Sequence, residues 1–448
     1  MAVMRSKHSV TFRLFQPTRR KAAATGPQST AMEAGRRGFR RPDGVRAVLA
    51  VAALLCAGTG FAFDGSAPSS HGADPFGGGP ATPLRHVVRI TTGTFHSCAS
   101  LTGGAMRCWG DNIYSQLGNG DSYEQPVAVP VIGLASGVQS ISGGGSHTCA
   151  VANGAARCWA YNYFGQVGDG TDTDRDIPTP VIGLASGTSA ISAGMNHSCA
   201  LTSTGGVKCW GANGFGQLGD GTDTNRLSPV NVSGLSSGVQ AISAGGEHTC
   251  ALTTAGGVRC WGNNDYGQIG DGSTTQRSTP VNVSGLTSGV QAISAGRFHT
   301  CAVLTTGAVR CWGINEDGQL GDGSTIDRST PVNVSGFSTG GHAVAAGALH
   351  TCAVTTGGAA RCWGYNGWGQ LGNGTTTSSL VPVNVTGLSS GVLAIAAGGS
   401  HSCAAGTDGR ARCWGGNEYG QLGDDTWNDS TTPVFVLQAD GIFAHPFE

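Results

Sequence analysis

VQAISAGGEHTCALTTAGGVRCWGNNDYGQIGDGSTTQRSTPVNVSG, residues 239–285, reads as one complete structural unit. VQAIS, TCALT, VRCWG and PVNVS are each short and β-rich, glycine-containing turns divide them, and nothing in the unit has helical spacing. The unit recurs. Its histidine reappears as His96, His147, His197, His248, His299, His350 and His401, at intervals of 51, 50, 51, 51, 51 and 51 residues. A fixed period of this size means a propeller, solenoid or array. Four short strands in each of seven units predict an all-β fold, a seven-bladed β-propeller with four antiparallel strands per blade. A single blade cannot bury both faces, so each relies on its neighbours. To close the ring, the strand from His86 to Ile90 must meet the one from Pro433 to Val436, and the expectation is a blade shared between the two ends.

Composition agrees with a repeat β protein. Glycine is 76 of 448 residues without a Gly-X-Y period, which excludes collagen, and 12% charged residues exclude a coiled coil. The net charge of −1 conceals a split: residues 1–63 carry 11 Lys and Arg against 2 acids, leaving the rest of the chain at −10. An acidic body does not suit a phosphate backbone, so no nucleic-acid partner is expected. Within residues 1–63, Met32 offers a second start; Arg36, Arg37, Arg40, Arg41 and Arg46 precede an uncharged run from Ala47 to Phe63, with small residues at Gly60 and Ala62. That order is an export signal cleaved after Ala62, or, uncleaved, a membrane anchor. Residues 64–84 read as a linker, 85–436 as the propeller and 437–448 as a C-terminal tail.

Apart from Cys56, the cysteines fall in pairs, one per unit: Cys98 and Cys108, Cys149 and Cys158, Cys199 and Cys209, Cys250 and Cys260, Cys301 and Cys311, Cys352 and Cys362, Cys403 and Cys413. Each pair spans the second and third strands. In the unit with the shorter spacing the turn centres on Asn153-Gly154, the favoured type I′ pair, which sets Cys149 opposite Cys158 within disulfide reach. One disulfide per blade is therefore expected, in agreement with an oxidising compartment outside the cytoplasm. A metal site built from His-x-Cys and the second cysteine would have to occur seven times, and no metal or cofactor is expected.

The repeated elements A-G-x-x-H, G-x-V-x-x-W-G and N-x-x-G-Q-L-G stand here as AGGEH (244–248), GGVRCWG (256–262) and NNDYGQIGDG (263–272). In these the chain resembles the regulator of chromosome condensation repeat family. Its N-x-aromatic-G-Q loops are also similar to those of a secreted β-lactamase inhibitor protein. The recurring residues read as scaffold: Trp109 and its six equivalents as packing anchors, Asn112 and Gln116 with theirs as loop ties, the histidines as braces between blades. Asp169, Asp172, Asp174 and Asp176 lack the glycine and glutamate spacing of a calcium hand.

Function should then sit where the repeats differ. Strands alternate direction, so the first-to-second and third-to-fourth connections emerge on one face. Two places after each loop asparagine stand Tyr114, Phe164, Phe215, Tyr266, Asp317, Trp368 and Tyr419; Tyr163 lies one place earlier, and Asp265, Glu316 and Glu418 add acids. Aromatic residues among acids on a rigid scaffold predict a non-catalytic, protein-binding face of a secreted or cell-envelope monomer. No Ser/His/Asp, Cys/His or phosphate-loop constellation points to an enzyme. The resemblance also implies a competing function, guanine-nucleotide exchange or chromatin association, with residues 5–46 as a basic tail. Against it, the period never shifts by more than one residue, leaving no inserted wedge. Exposed aromatics would also suit a glycan, and a carbohydrate-binding propeller is the third reading. Membrane contact is expected only through an uncleaved N-terminal segment.

Overall fold

A computed structural model describes residues 81–438, and within them lie seven four-stranded antiparallel blades. The first consists of Val87–Thr92, His96–Leu101, Met106–Gly110 and Gln125–Pro130, and the other six repeat that order. First strands of neighbouring blades touch one another all the way round, so the first strand lies at the hub and the fourth at the rim. Blades crowd together there: a Cβ on Gly245 would collide with the Gly296 carbonyl, and on Gly296 with that of Gly347. Main-chain bonds girdle the hub, as from Gly246 N to Gly296 O (3.0 Å) and Arg297 N to Gly347 O (3.1 Å).

Closure departs from the expected shared blade. Each repeat begins at the hub and ends at the rim, so every blade is complete in itself and has no strand to lend. The ends meet outside: Leu437–Gln438 pairs antiparallel with Thr82–Pro83 and parallel with the rim strand Gln125–Pro130. Leu84 N donates to Val436 O at 2.8 Å, and Leu84, Val87 and Trp109 pack with Cys403, Cys413 and Val436 to seal the seam. These short strands stand at the inner ends of the expected linker and tail. The expected export signal, the linker up to residue 80 and the tail from 439 lie outside the described residues.

All seven cysteine pairs form disulfides, with Cα atoms 4.0–4.1 Å apart across directly opposed positions such as Cys250 and Cys260. Asn153 and Gly154 both take positive φ (52° and 77°), the type I′ turn read from the sequence. Each disulfide is buried beneath the tryptophan of the next blade: Cys250 and Cys260 pack with Trp312, and Cys403 and Cys413 with Trp109 across the seam.

The tryptophan is also a latch. Trp312 Nε1 donates to the main-chain oxygen of Gln268 in the preceding blade at 2.9 Å, and Thr300 Oγ1 donates to that same oxygen at 2.9 Å. With its proton so used, Thr300 Oγ1 accepts from His248 Nε2 at 2.8 Å, which fixes the proton on Nε2 and leaves Nδ1 bare. The pattern runs unbroken through all blades and closes from His401 to Ser97 (2.8 Å). The histidines thus brace adjacent blades, as expected. Sequence reading overlooked their partner, the serine or threonine that follows each of them.

The second blade departs from the repeat at the end of its third strand. Where the other six have glycine at φ of 100–108°, it has Ala160 at φ 80°. A left-handed backbone costs a residue with a Cβ about 1–2 kcal/mol, so Ala160→Gly is expected to raise stability by about that amount. Thermal unfolding checks it; an unchanged or lower Tm would show that this blade has relaxed around its alanine.

Candidate protein-binding face

Each third-to-fourth connection is a rigid box. In the fourth blade Asn264 Oδ1 accepts from Ile269 N (3.0 Å), and its Nδ2 donates to the carbonyls of Ser273 and Thr275 (both 3.0 Å). Gln268 Oε1 accepts from Tyr266 N at 3.0 Å. The asparagine and glutamine are spent on the loop itself, so residues 265 and 266 are presented outward on a fixed frame. Asp271 clips the loop to Arg277 at 2.7 Å; burial works to raise its carboxyl, but bonds from Ser273 and Arg277 prevail and hold it below the usual range. The expected loop ties are therefore present in the fold.

The predicted face residues all lie on these loops, in differing exposure. Tyr114, Tyr163, Trp368, Asp265, Glu316 and Glu418 are exposed, whereas Phe164, Phe215, Tyr266, Asp317 and Tyr419 are half-buried. Ring pairing explains part of the difference. Tyr419 leans on Phe95 across the seam (centroids 4.9 Å), and Tyr266 on Phe298 of the next blade (5.4 Å). Tyr114 meets Tyr161 (4.9 Å), which continues to Tyr163 and Phe164, and Tyr365 meets Trp368 (5.2 Å). These contacts join the first-to-second and third-to-fourth connections on one face, as strand alternation required.

Phe95 and Phe298 precede their histidines, on the first-to-second connections that sequence reading placed on this face as variable positions; Tyr161 and Tyr365 precede their asparagines, and sequence reading selected neither. It also passed over Ile113, Tyr123 and Trp427, which are 67%, 75% and 47% exposed and line a shallow pocket with Ser122 and Glu124 between the first and last blades. Trp427 had the clearest signal, a large apolar side chain where the other repeats have Ser, Asp or Thr, whereas Ile113 shares its position with Tyr163 and Tyr123 shares its position with Ile326.

The charge of this face is one-sided. The two sets of connections on it contain nineteen Asp and Glu against one cation, Arg297. Burial raises the carboxyls of Glu124 and Asp317, and neighbouring carboxylates (Asp111 and Glu418 for the first, Glu316 for the second) add to the rise. Burial likewise raises Glu247 against the opposing pull of Arg297. In the acidic loop of the second blade, Asp169 pairs with Arg175, Asp174 accepts from Asn162 N (2.8 Å) and Asp176 from Ser115 Oγ (3.0 Å). Among the described residues no group of three His, Cys, Asp or Glu is arranged to hold a metal.

Fold and face together define a repeat-built, disulfide-stapled scaffold whose variable side chains gather on one rim of loops. The regulator of chromosome condensation (RCC1) repeat matches residues 87–116, 189–217, 239–268, 290–319, 342–370 and 392–421 in one form. In a second form it matches 104–151, 204–252, 255–303, 306–354 and 359–405. The chain belongs to the RCC1 repeat family. It is 31% identical over 365 residues to the ultraviolet-B receptor UVR8 of Arabidopsis thaliana, covering 80% of this chain and 71% of that one. It is 38% identical over 210 residues to human E3 ubiquitin-protein ligase HERC2, covering 46% of this chain but 4% of that protein. Among solved structures, human WBSCR16 superposes with a TM-score of 0.66 at 23% identity, covering 74% of this chain and 94% of that one. Yeast RCC1 (Prp20), solved bound to Kap60, superposes at 0.64 and 21% identity, covering 83% and 91%.

Proposed function

We propose that the protein is a secreted or cell-envelope binding module that presents its loop face to a protein partner and performs no chemistry. The observation that carries this reading is the joining of paired aromatic rings and unpaired carboxylates on one rigid face, where aromatic anchors bounded by charge make a binding hot spot. Related propellers support it: yeast RCC1 has been solved with Kap60 and studied for binding Gsp1p and histones. The acid excess calls for a partner with a basic rim, whose association should slow as salt rises. Export rests on residues 1–63, and mass spectrometry of the exported chain tests cleavage after Ala62.

Capture of partners from the producing organism's surroundings, followed by titration, tests the face. Tyr114 and Tyr163 are the exposed members of the four-ring cluster, so Tyr114→Ala with Tyr163→Ala should leave folding intact. The expected loss of partner affinity is about 2 kcal/mol or more, some thirtyfold. Binding unchanged in this variant and in Trp368→Ala would place the partner on another surface.

A further inference from the structure

Charge divides the disc into two unlike surfaces. Away from the acidic loop face, Asp408 is the only carboxylate among the described residues. The third strand there holds one Lys or Arg in every blade, two places before the tryptophan and toward the end remote from the acidic loops. In blades three to six this cation lies directly opposite an exposed asparagine of the rim strand: Lys208 opposite Asn231, Arg361 opposite Asn384, and Arg259 and Arg310 likewise. Lys208 Nζ donates to Asn231 Oδ1 at 2.9 Å and Arg310 Nε to Asn333 Oδ1 at 3.2 Å, which fixes the pair and leaves each asparagine's amide N–H groups to point elsewhere. Arg361 lies over the Phe337 ring at 5.6 Å, with its buried Nε without a partner. No ion pair joins any of these four cations to a carboxylate among the described residues.

Four half-buried cations without counter-charge, each beside a carboxamide and repeated at one-blade intervals, form an array rather than a pocket. Exposed hydroxyls extend it, as at Ser233, Ser284 and Thr386 two residues beyond the asparagines. A cation takes an acid group, while amides and hydroxyls both donate to and accept from hydroxyl groups. No exposed aromatic ring stands in these strands for a nucleobase to stack on, and the body as a whole is acidic. We infer that the rim of blades three to six binds an acidic polysaccharide, its carboxylate or sulfate groups held by Lys208, Arg259, Arg310 and Arg361 and its hydroxyls by the adjoining asparagines. This surface faces away from the loops, so the inference stands apart from the partner proposed for them.

The test measures binding of the full chain to polygalacturonate and to dextran sulfate over a range of salt concentrations, the two polymers separating carboxylate from sulfate recognition. Wild type should bind one of them. The triple variant Arg259→Gln, Arg310→Gln, Arg361→Gln should bind at least tenfold more weakly, with the slope of log affinity against log salt reduced by about two to three. The triple Arg→Lys variant should keep most of the affinity. Should the glutamine triple fail to fold by circular dichroism, Arg259→Gln alone should reduce the slope by about one. Absence of wild-type binding overturns the inference. So does equal binding by the folded glutamine variant, which would assign the affinity to the basic residues 1–63. Tighter binding to duplex DNA or to vesicles of anionic phospholipid than to either polysaccharide overturns the ligand class.

Discussion

Lowering the pH from 7 toward 4 is expected to unfold the propeller cooperatively, with the steepest loss of stability below pH 6. The cause is the ring of seven braced histidines. Burial holds all seven well below the ordinary 6.5, at about 3 for His147, His248, His299 and His401 and about 4 for His96, His197 and His350. The folded state therefore refuses protons that the unfolded chain takes up below pH 6.5. Stability is fully present above that value and is lost as pH falls toward the folded pKa. At pH 5 each ring costs about 2 kcal/mol, and seven together about 14 kcal/mol, which matches the whole stability of an ordinary domain. Raised carboxyls such as Glu124 and Asp317 act in the opposite sense but are few and partly exposed. Thermal scans from pH 8 to 4 read the effect, and His299→Gln should reduce proton uptake on unfolding by one. A melting temperature level from pH 7 to 4.5 would show that the rings accept protons in place.

The architecture was legible because a repeat writes the same physics seven times. One histidine period counts the blades, alternation marks the strands, and Asn153-Gly154 fixes the hairpin register that brings Cys149 to Cys158. The loop box was equally local, since Asn264 and Gln268 bond within a dozen residues of themselves. What stayed hidden joins residues far apart in the chain. The Phe95–Tyr419 pair crosses the seam, and nothing near either residue announces the other. The hydroxyl after each histidine was passed over as the middle of His-x-Cys, although it accepts from the histidine of the preceding blade. The shared blade at closure failed because sequence reading had no means to order strands from hub to rim; once the first strand is placed at the hub, each repeat is already a whole blade.

Dithiothreitol at neutral pH is expected to leave all seven disulfides intact in the folded protein and to cleave all of them once it is unfolded. Every paired cysteine has no exposed surface, and the tryptophan of the next blade covers each bond, so a thiolate has no path to sulfur without parting two blades. Each bond closes a loop of nine or ten residues. On the chain-entropy model that stabilises by about 2–3 kcal/mol, and by less where the glycine turn already favours the hairpin in the unfolded chain. Even at half that value seven bonds contribute about 7–10 kcal/mol, comparable with the net stability of a folded domain. The reduced chain should therefore refold poorly, with a melting temperature lowered by tens of degrees or no transition at all. Mass spectrometry after native and denaturing reduction separates the two conditions, and non-reducing peptide mapping should recover seven links, each within one blade. Links between blades, rapid reduction of the folded protein, or a reduced chain that melts within a few degrees of the oxidised one would each refute the account. The result bears on where the protein folds: a chain so dependent on these bonds should accumulate in native form when directed to an oxidising compartment and not when retained in a reducing cytoplasm.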